Sequence, residues 1–167
     1  DVANQTVTAT NTDNETAGFS LATAQIQSVS EAGSTTKFAA ALTTEPAGDV
    51  VLRANSNDTG EATVSDSLTF TSSNWDTNQW FTVTGVDDSI DDGDQVTAFT
   101  VEVVDASSHD AYDGVADKNW NVTTTDDDTV GFTLSTTSVS VAETGTTAQF
   151  TVVLDTEPAG DVVIRSS

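Results

Sequence analysis

The chain repeats itself, and the repeat is as long as a domain. Gly18-Phe19-Ser20-Leu21 returns as Gly131-Phe132-Thr133-Leu134, and Thr44-Glu45-Pro46-Ala47-Gly48-Asp49-Val50-Val51 returns as Thr156-Glu157-Pro158-Ala159-Gly160-Asp161-Val162-Val163. The acidic run before each copy is duplicated as well: Thr12-Asp13-Asn14-Glu15-Thr16-Ala17 stands where Thr125-Asp126-Asp127-Asp128-Thr129-Val130 stands later. Self-similarity of this kind restricts the fold to a string of like units. It predicts that residues 1–17 are the last strand of a preceding unit, 18–130 one complete unit, and 131–167 the opening part of the next. The chain is therefore expected to be a segment of a longer array, its outer pieces ordered only where something completes their sheets, because a lone hairpin is marginal in water. Between Leu21 and Glu31 the copies slip by one residue, with Ile26 and Val29 opposite Val139 and Val141. A one-residue slip in a strand predicts a β-bulge or a kinked edge.

Within the complete unit, short alternating runs are separated by turn clusters. Phe19 and Leu21 open strand A, with Ile26 and Val29 after the kink. Phe38, Ala40 and Leu42 give strand B an inward face, and Val50–Arg53 form strand C. Leu68 and Phe70 mark D, Phe81 and Val83 mark E, Phe99, Val101 and Val103 mark F, and residues 118–125 are G. No segment has a helical period with caps. Seven strands in about 110 residues predict an all-β, immunoglobulin-like sandwich.

Charge decides which partners are excluded. Asp and Glu number 27 against 4 Lys and Arg, a formal charge of −23, which disfavours nucleic acid and anionic membrane. No apolar run approaches the roughly 20 residues of a membrane span. There is no cysteine, so an extracellular unit of this kind is held by its core, by metal, or by both.

The acids gather where strands end. In a seven-strand Greek key the A–B, C–D and E–F loops and the exit of strand G share one pole. That pole then holds Glu31, the run Asp87, Asp88, Asp91, Asp92 and Asp94, and Asp126, Asp127 and Asp128, with Asp58 or Asp66 able to join from the C–D loop. Like charges 4 to 6 Å apart cost on the order of 1 kcal/mol per pair even when partly screened. Calcium takes roughly 6 to 8 oxygen ligands, which this pole can supply for two or more ions. Side chains alternate along extended backbone, so Asp126 and Asp128 are expected on one side and Asp127 on the other, serving separate ions. The earlier copy of the run adds Asp13 and Glu15 as candidate ligands.

Gly18-Phe19-Ser20-Leu21, Ser28-Val29-Ser30-Glu31, Phe81-Thr82-Val83 leading to Val86-Asp87-Asp88, the acidic run through Asp94 and the closing Asp126-Asp127-Asp128 together resemble a Calx-beta domain, of the tandem-repeat type found in giant bacterial surface adhesins. The resemblance covers 18–130 fully and both flanks in part. It implies calcium ligation by Glu31, Asp87, Asp88, Asp126, Asp127 and Asp128. Asp91-Asp92-Gly93-Asp94 stands where a glutamate is common in that family. The implied role is a calcium-stiffened spacer of a secreted, cell-surface adhesin or extracellular filament. Its partners would be neighbouring repeats, and any surface glycan or protein would be engaged through other modules.

Competing motifs fail. An EF-hand loop opened at Asp88 puts Ile90 and Phe99 where ligands are required. His109 stands in a loop with no cysteine or second histidine and is expected to be a solvated side chain. No catalytic constellation is present, and no enzyme activity is expected. Two rivals to the spacer remain. One is a carbohydrate-binding accessory module, stacking sugars on Trp75, Tyr112 or Trp120. The other is a calcium sensor with switch-like affinity. Trp75 is expected to lid one end of the sandwich and Trp80 to face outward. Trp120 aligns with Val7 of the other copy, so the fold is not expected to demand an indole there.

Overall fold

The computed structural model describes residues 3–23, 28–65 and 67–165. In chain order the strands are β1 (Phe19–Thr23), β2 (Ser28–Ser30), β3 (Thr35–Leu42), β4 (Val50–Ser56), β5 (Ala62–Val64), β6 (Ser67–Phe70), β7 (Gln79–Gly85), β8 (Gln95–Val103), β9 (Lys118–Thr125), β10 (Phe132–Leu134) and β11 (Val152–Leu154). Period-2 patterning explains them. Along β8, for example, Thr97, Phe99, Val101 and Val103 are buried while the residues between them reach solvent.

The first nine strands form two facing sheets, ordered β1-β3-β7-β5 and β2-β9-β8-β4-β6. This is an all-β, immunoglobulin-like sandwich. The slip expected as a bulge or kink is a larger event. β1 pairs antiparallel with β3 in one sheet, whereas β2 pairs parallel with β9 in the other, so strand A changes sheets between them. Ile26 falls outside the described residues. Expected strand D, marked by Leu68 and Phe70, is β6 and joins β4, while a further short strand, β5, joins β7 in the other sheet. Short strands shared between sheets cover both edges of the sandwich, which limits exposed pairing surface.

The core runs from Phe19 to Val122. Phe38 stacks on Phe81 at 5.0 Å and meets Trp120 across the sandwich at 4.4 Å, and Phe99 lies 6.4 Å from Trp120. Trp120 is thus a central core residue, which corrects the expectation that the fold does not need it. Trp80 is half exposed, and Trp75 is partly buried against the core. Tyr112 is buried and donates its hydroxyl to the Thr44 carbonyl at 2.8 Å. His109 is half-buried rather than solvated: its Nδ1 accepts from the Ala111 N–H at 3.3 Å and its own N–H donates to the Asp49 carbonyl at 2.8 Å.

Outside this core, described residues before Phe19 form no strand, and β10 pairs only with β11. That pair copies the register of the complete unit, since Phe132 stands opposite Leu154 as Phe19 stands opposite Leu42. Local bonds recur too. The Thr43 N–H donates to Gly18 at 2.9 Å and the Asp155 N–H to Gly131 at 3.0 Å. Ser30 N–H to Ser34 Oγ and Ala142 N–H to Thr146 Oγ1 are both 2.7 Å. The second copy lacks the burial of the first: Phe150 is 49% exposed, whereas its counterpart Phe38 is fully buried. Among the described residues no helix is long and apolar enough to cross a membrane.

Candidate metal centre

Parallel pairing of β2 with β9 builds the acidic pole. The register sets Ser30 beside Thr125, so the next residues, Glu31 and Asp126, leave the sheet as neighbours. The Glu31 N–H donates to the Thr125 carbonyl at 3.2 Å, and Thr125 Oγ1 donates to the Val29 carbonyl at 3.2 Å. Gly33, at φ 83°, turns the chain back into β3. Gly85, at the end of β7, lets β2 approach: a Cβ there would lie 2.2 Å from the Ser30 carbonyl oxygen. Only glycine permits that contact.

The β7–β8 loop closes over this exit. Asp126 Oδ2 accepts from the Gly93 N–H at 2.7 Å, while the Asp126 N–H donates to Asp94 Oδ1 at 3.2 Å. Asp126 Oδ1 also accepts from the Asp128 N–H at 2.8 Å. From the β4–β5 loop comes Glu61, whose carbonyl accepts from the Val86 N–H at 2.9 Å and from Thr124 Oγ1 at 3.3 Å.

Two sets of carboxylates converge, each with oxygens within 4.8 Å of one another: Glu31, Asp126 and Asp128, and Glu31, Glu61 and Asp92. Glu31 belongs to both. Its side chain is 1% exposed, and its Oε2 is buried without a hydrogen-bond partner, as is Oε2 of Glu61. Burial, reinforced by the charges of Asp126, Asp88 and Glu61, pushes the Glu31 carboxyl up to about 7, although the Asp127 backbone N–H opposes the shift. Burial and then the neighbouring Asp92 and Asp58 raise Glu61, and burial with Asp126 and Asp127 raises Asp128. Buried carboxylates with orphaned oxygens and like-charged neighbours are the environment that a hard cation relieves. These acidic groups are placed to hold a metal ion.

Of the residues singled out from the sequence, Glu31, Asp92, Asp126 and Asp128 meet. Asp127 is exposed, as alternation requires, but no group of three acids forms around it among the described residues. The second set assembles on Glu61 instead. Asp87 and Asp88 stay at the pole, close enough to raise Asp128, and lie outside both sets. The Asp88 carboxylate accepts from the Ile90 N–H at 2.7 Å. Asp91 accepts from the Val130 N–H at 2.8 Å and holds the linker rather than the cluster. Asp13 and Glu15 sit at the opposite end of the sandwich beside Thr43–Ala47, far along β3 from Glu31, and bond each other through the Glu15 N–H at 3.2 Å. Asp66 lies outside the described residues. Glu61 was missed by the sequence reading. Its signal is its loop, which it shares with Asp58. Burial of Trp120 and Tyr112 also removes two of the three sugar platforms considered above.

No family model matches the chain, and no curated protein matches it. Among solved structures, the E. coli chaperone DraB is similar with a TM-score of 0.42 at 5% identity, over 64% of this chain and 53% of that one. SSP-19, an MSP-domain protein like family member in Caenorhabditis elegans, is similar with a TM-score of 0.38 at 14% identity, over 60% of this chain and 92% of that one. The chain thus spans about half the length of DraB.

Proposed function

We propose that this chain is a calcium-binding structural repeat, an extender of a secreted cell-surface adhesin or extracellular filament, stiffened by Ca2+ where one repeat passes to the next. The observation that carries the reading is Glu31: a buried carboxylate with an orphaned oxygen, shared by two acidic sets at the point where β9 leaves the sandwich toward β10. Glu31, Asp126 and Asp128 would hold one ion, and Glu31, Glu61 and Asp92 a second. All are hard oxygen donors, which favours calcium over softer metals. Bound calcium supplies positive charge to the cluster and no chemistry beyond that. Without it, Asp126 and Asp128 repel Glu31 and the linker is free to bend. With it, the β9 exit is tied to the β2–β3 turn and the β7–β8 loop, which fixes the direction of the next repeat. A formal charge of −23 suits a chain that works in a calcium-containing medium.

Isothermal titration of the 167-residue chain with CaCl2, paired with small-angle scattering, tests the proposal. Saturable binding that lengthens and stiffens the particle is expected. Absence of binding at millimolar calcium would overturn it.

A further inference from the structure

Two junctions of the same kind recur in the chain, and among the described residues the β7–β8 loop is seated at the second. After β9, the Ser89 carbonyl accepts from the Glu157 N–H at 2.7 Å, and Asp91 Oδ2 accepts from the Val130 N–H at 2.8 Å. The β7–β8 loop is thereby seated on the start of the second copy. By the repeat, Glu157 corresponds to Glu45 and Val130 to Ala17. The two frames match in their local bonds, as Thr43 to Gly18 and Asp155 to Gly131 show. Yet neither the Glu45 nor the Ala17 N–H meets an acceptor among the described residues. Both residues border a cleft of about 690 Å³, walled by Asp13, Glu15, Pro46, Trp75 and His109.

We propose that this cleft is a socket for the β7–β8 loop, Ser89-Ile90-Asp91, of a preceding copy of the same repeat. The donors left open are those that the loop's carbonyl and carboxylate take at the second junction. Ile90 gives the loop an apolar side chain for the Trp75 and Pro46 wall. At the junction after β9, Ile90 is 37% exposed. The same docking explains Asp13 and Glu15. They correspond to Asp126 and Asp128, so a seated upstream copy would bring its own Glu31, Glu61 and Asp92 to them, with Asn14 in place of Asp127. So acidic a joint needs a cation, and the inference therefore rests on the calcium reading above.

The test extends the chain by one unit, replacing residues 1–17 with a second copy of residues 18–130 ahead of Gly18. Amide hydrogen exchange of the downstream Glu45 and acrylamide quenching of the downstream Trp75 are compared with the original chain, in calcium and in chelator. In calcium, Glu45 exchange should slow at least about tenfold and Trp75 should be shielded. Deleting Ser89, Ile90 and Asp91 from the added copy, which removes the Ser89 carbonyl as well as the side chains, should reverse both effects. If calcium raises the melting temperature but Glu45 is not protected, or the deletion variant keeps the protection, the socket is refuted and the calcium reading stands. If calcium leaves the melting temperature unchanged, the calcium reading fails. The socket, which rests on that reading, then falls with it.

Discussion

Replacing Glu31 with Gln should change stability in opposite directions with and without calcium. Without calcium at pH 8, the wild-type chain keeps a buried carboxylate with an unpaired oxygen beside Asp126, Asp88 and Glu61. The amide removes that charge, so the calcium-free variant should gain about 1–3 kcal/mol. With calcium the sign reverses, because Glu31 is the member common to both sets. A site with a dissociation constant of about 10 μM contributes roughly 4 kcal/mol at about 10 mM calcium. Weakening both sites, which share Glu31, to about 1 mM leaves roughly 1.4 kcal/mol each, a combined loss of about 5.4 kcal/mol. Set against the calcium-free gain, the net loss is about 2.4–4.4 kcal/mol, and at about 4 °C per kcal/mol for a unit this size the calcium-loaded variant should melt about 10–18 °C below wild type. Differential scanning calorimetry in chelator and in calcium reads both arms. A variant that melts lower than wild type by the same amount in each condition would refute the reasoning, since Glu31 would then be an ordinary core side chain.

Without calcium, stability should fall as pH rises. A carboxyl raised to about 7 binds its proton more tightly folded than unfolded, so its contribution is full below the ordinary value of 4.5 and lost as pH climbs through 7. Chemical denaturation in chelator between pH 5 and 8 checks this, and saturating calcium should abolish the trend because binding needs the deprotonated ligand. Glu102, lowered by its bonds to Arg53 and Asn55, acts in the opposite sense and only below its ordinary range, so the two windows do not overlap. Gly85→Ala should destabilise the unit by about 1–3 kcal/mol and weaken calcium binding together, because the added methyl displaces Ser30 and with it Glu31; unchanged affinity by titration would count against this placement of β2. Trp120→Ala should cost about 3–5 kcal/mol, whereas Trp120→Phe should cost under about 1.5 kcal/mol, since it keeps most of the ring volume and removes a buried Nε1 that has no partner. Equal losses in urea melts would contradict that account.

Much of the sandwich was legible because alternation is a local property. Phe38, Ala40 and Leu42 on β3, Phe81 and Val83 on β7, and Phe99, Val101 and Val103 on β8 all point inward as the period of two requires. Strand β9 was legible for the same reason, and Glu31, Asp92, Asp126 and Asp128 were found because strand order alone brings those loops to one pole. Other features depended on partners far apart in the chain. The parallel register of Ser30 with Thr125 moves β2 into the second sheet, and no residue between Leu21 and Glu31 records which sheet its strand will join. That register selects Asp126 and Asp128 over Asp127, and it is the β4–β5 loop, packed on Val86 and Thr124, that delivers Glu61. Trp120 and Val7 hold equivalent places in the repeat, yet one is 7% exposed and the other 92%. Their own sequence neighbourhoods do not separate them. An indole is buried only where Phe38 and Phe99 from facing sheets close over it, and none of the described residues before Phe19 lies in a strand.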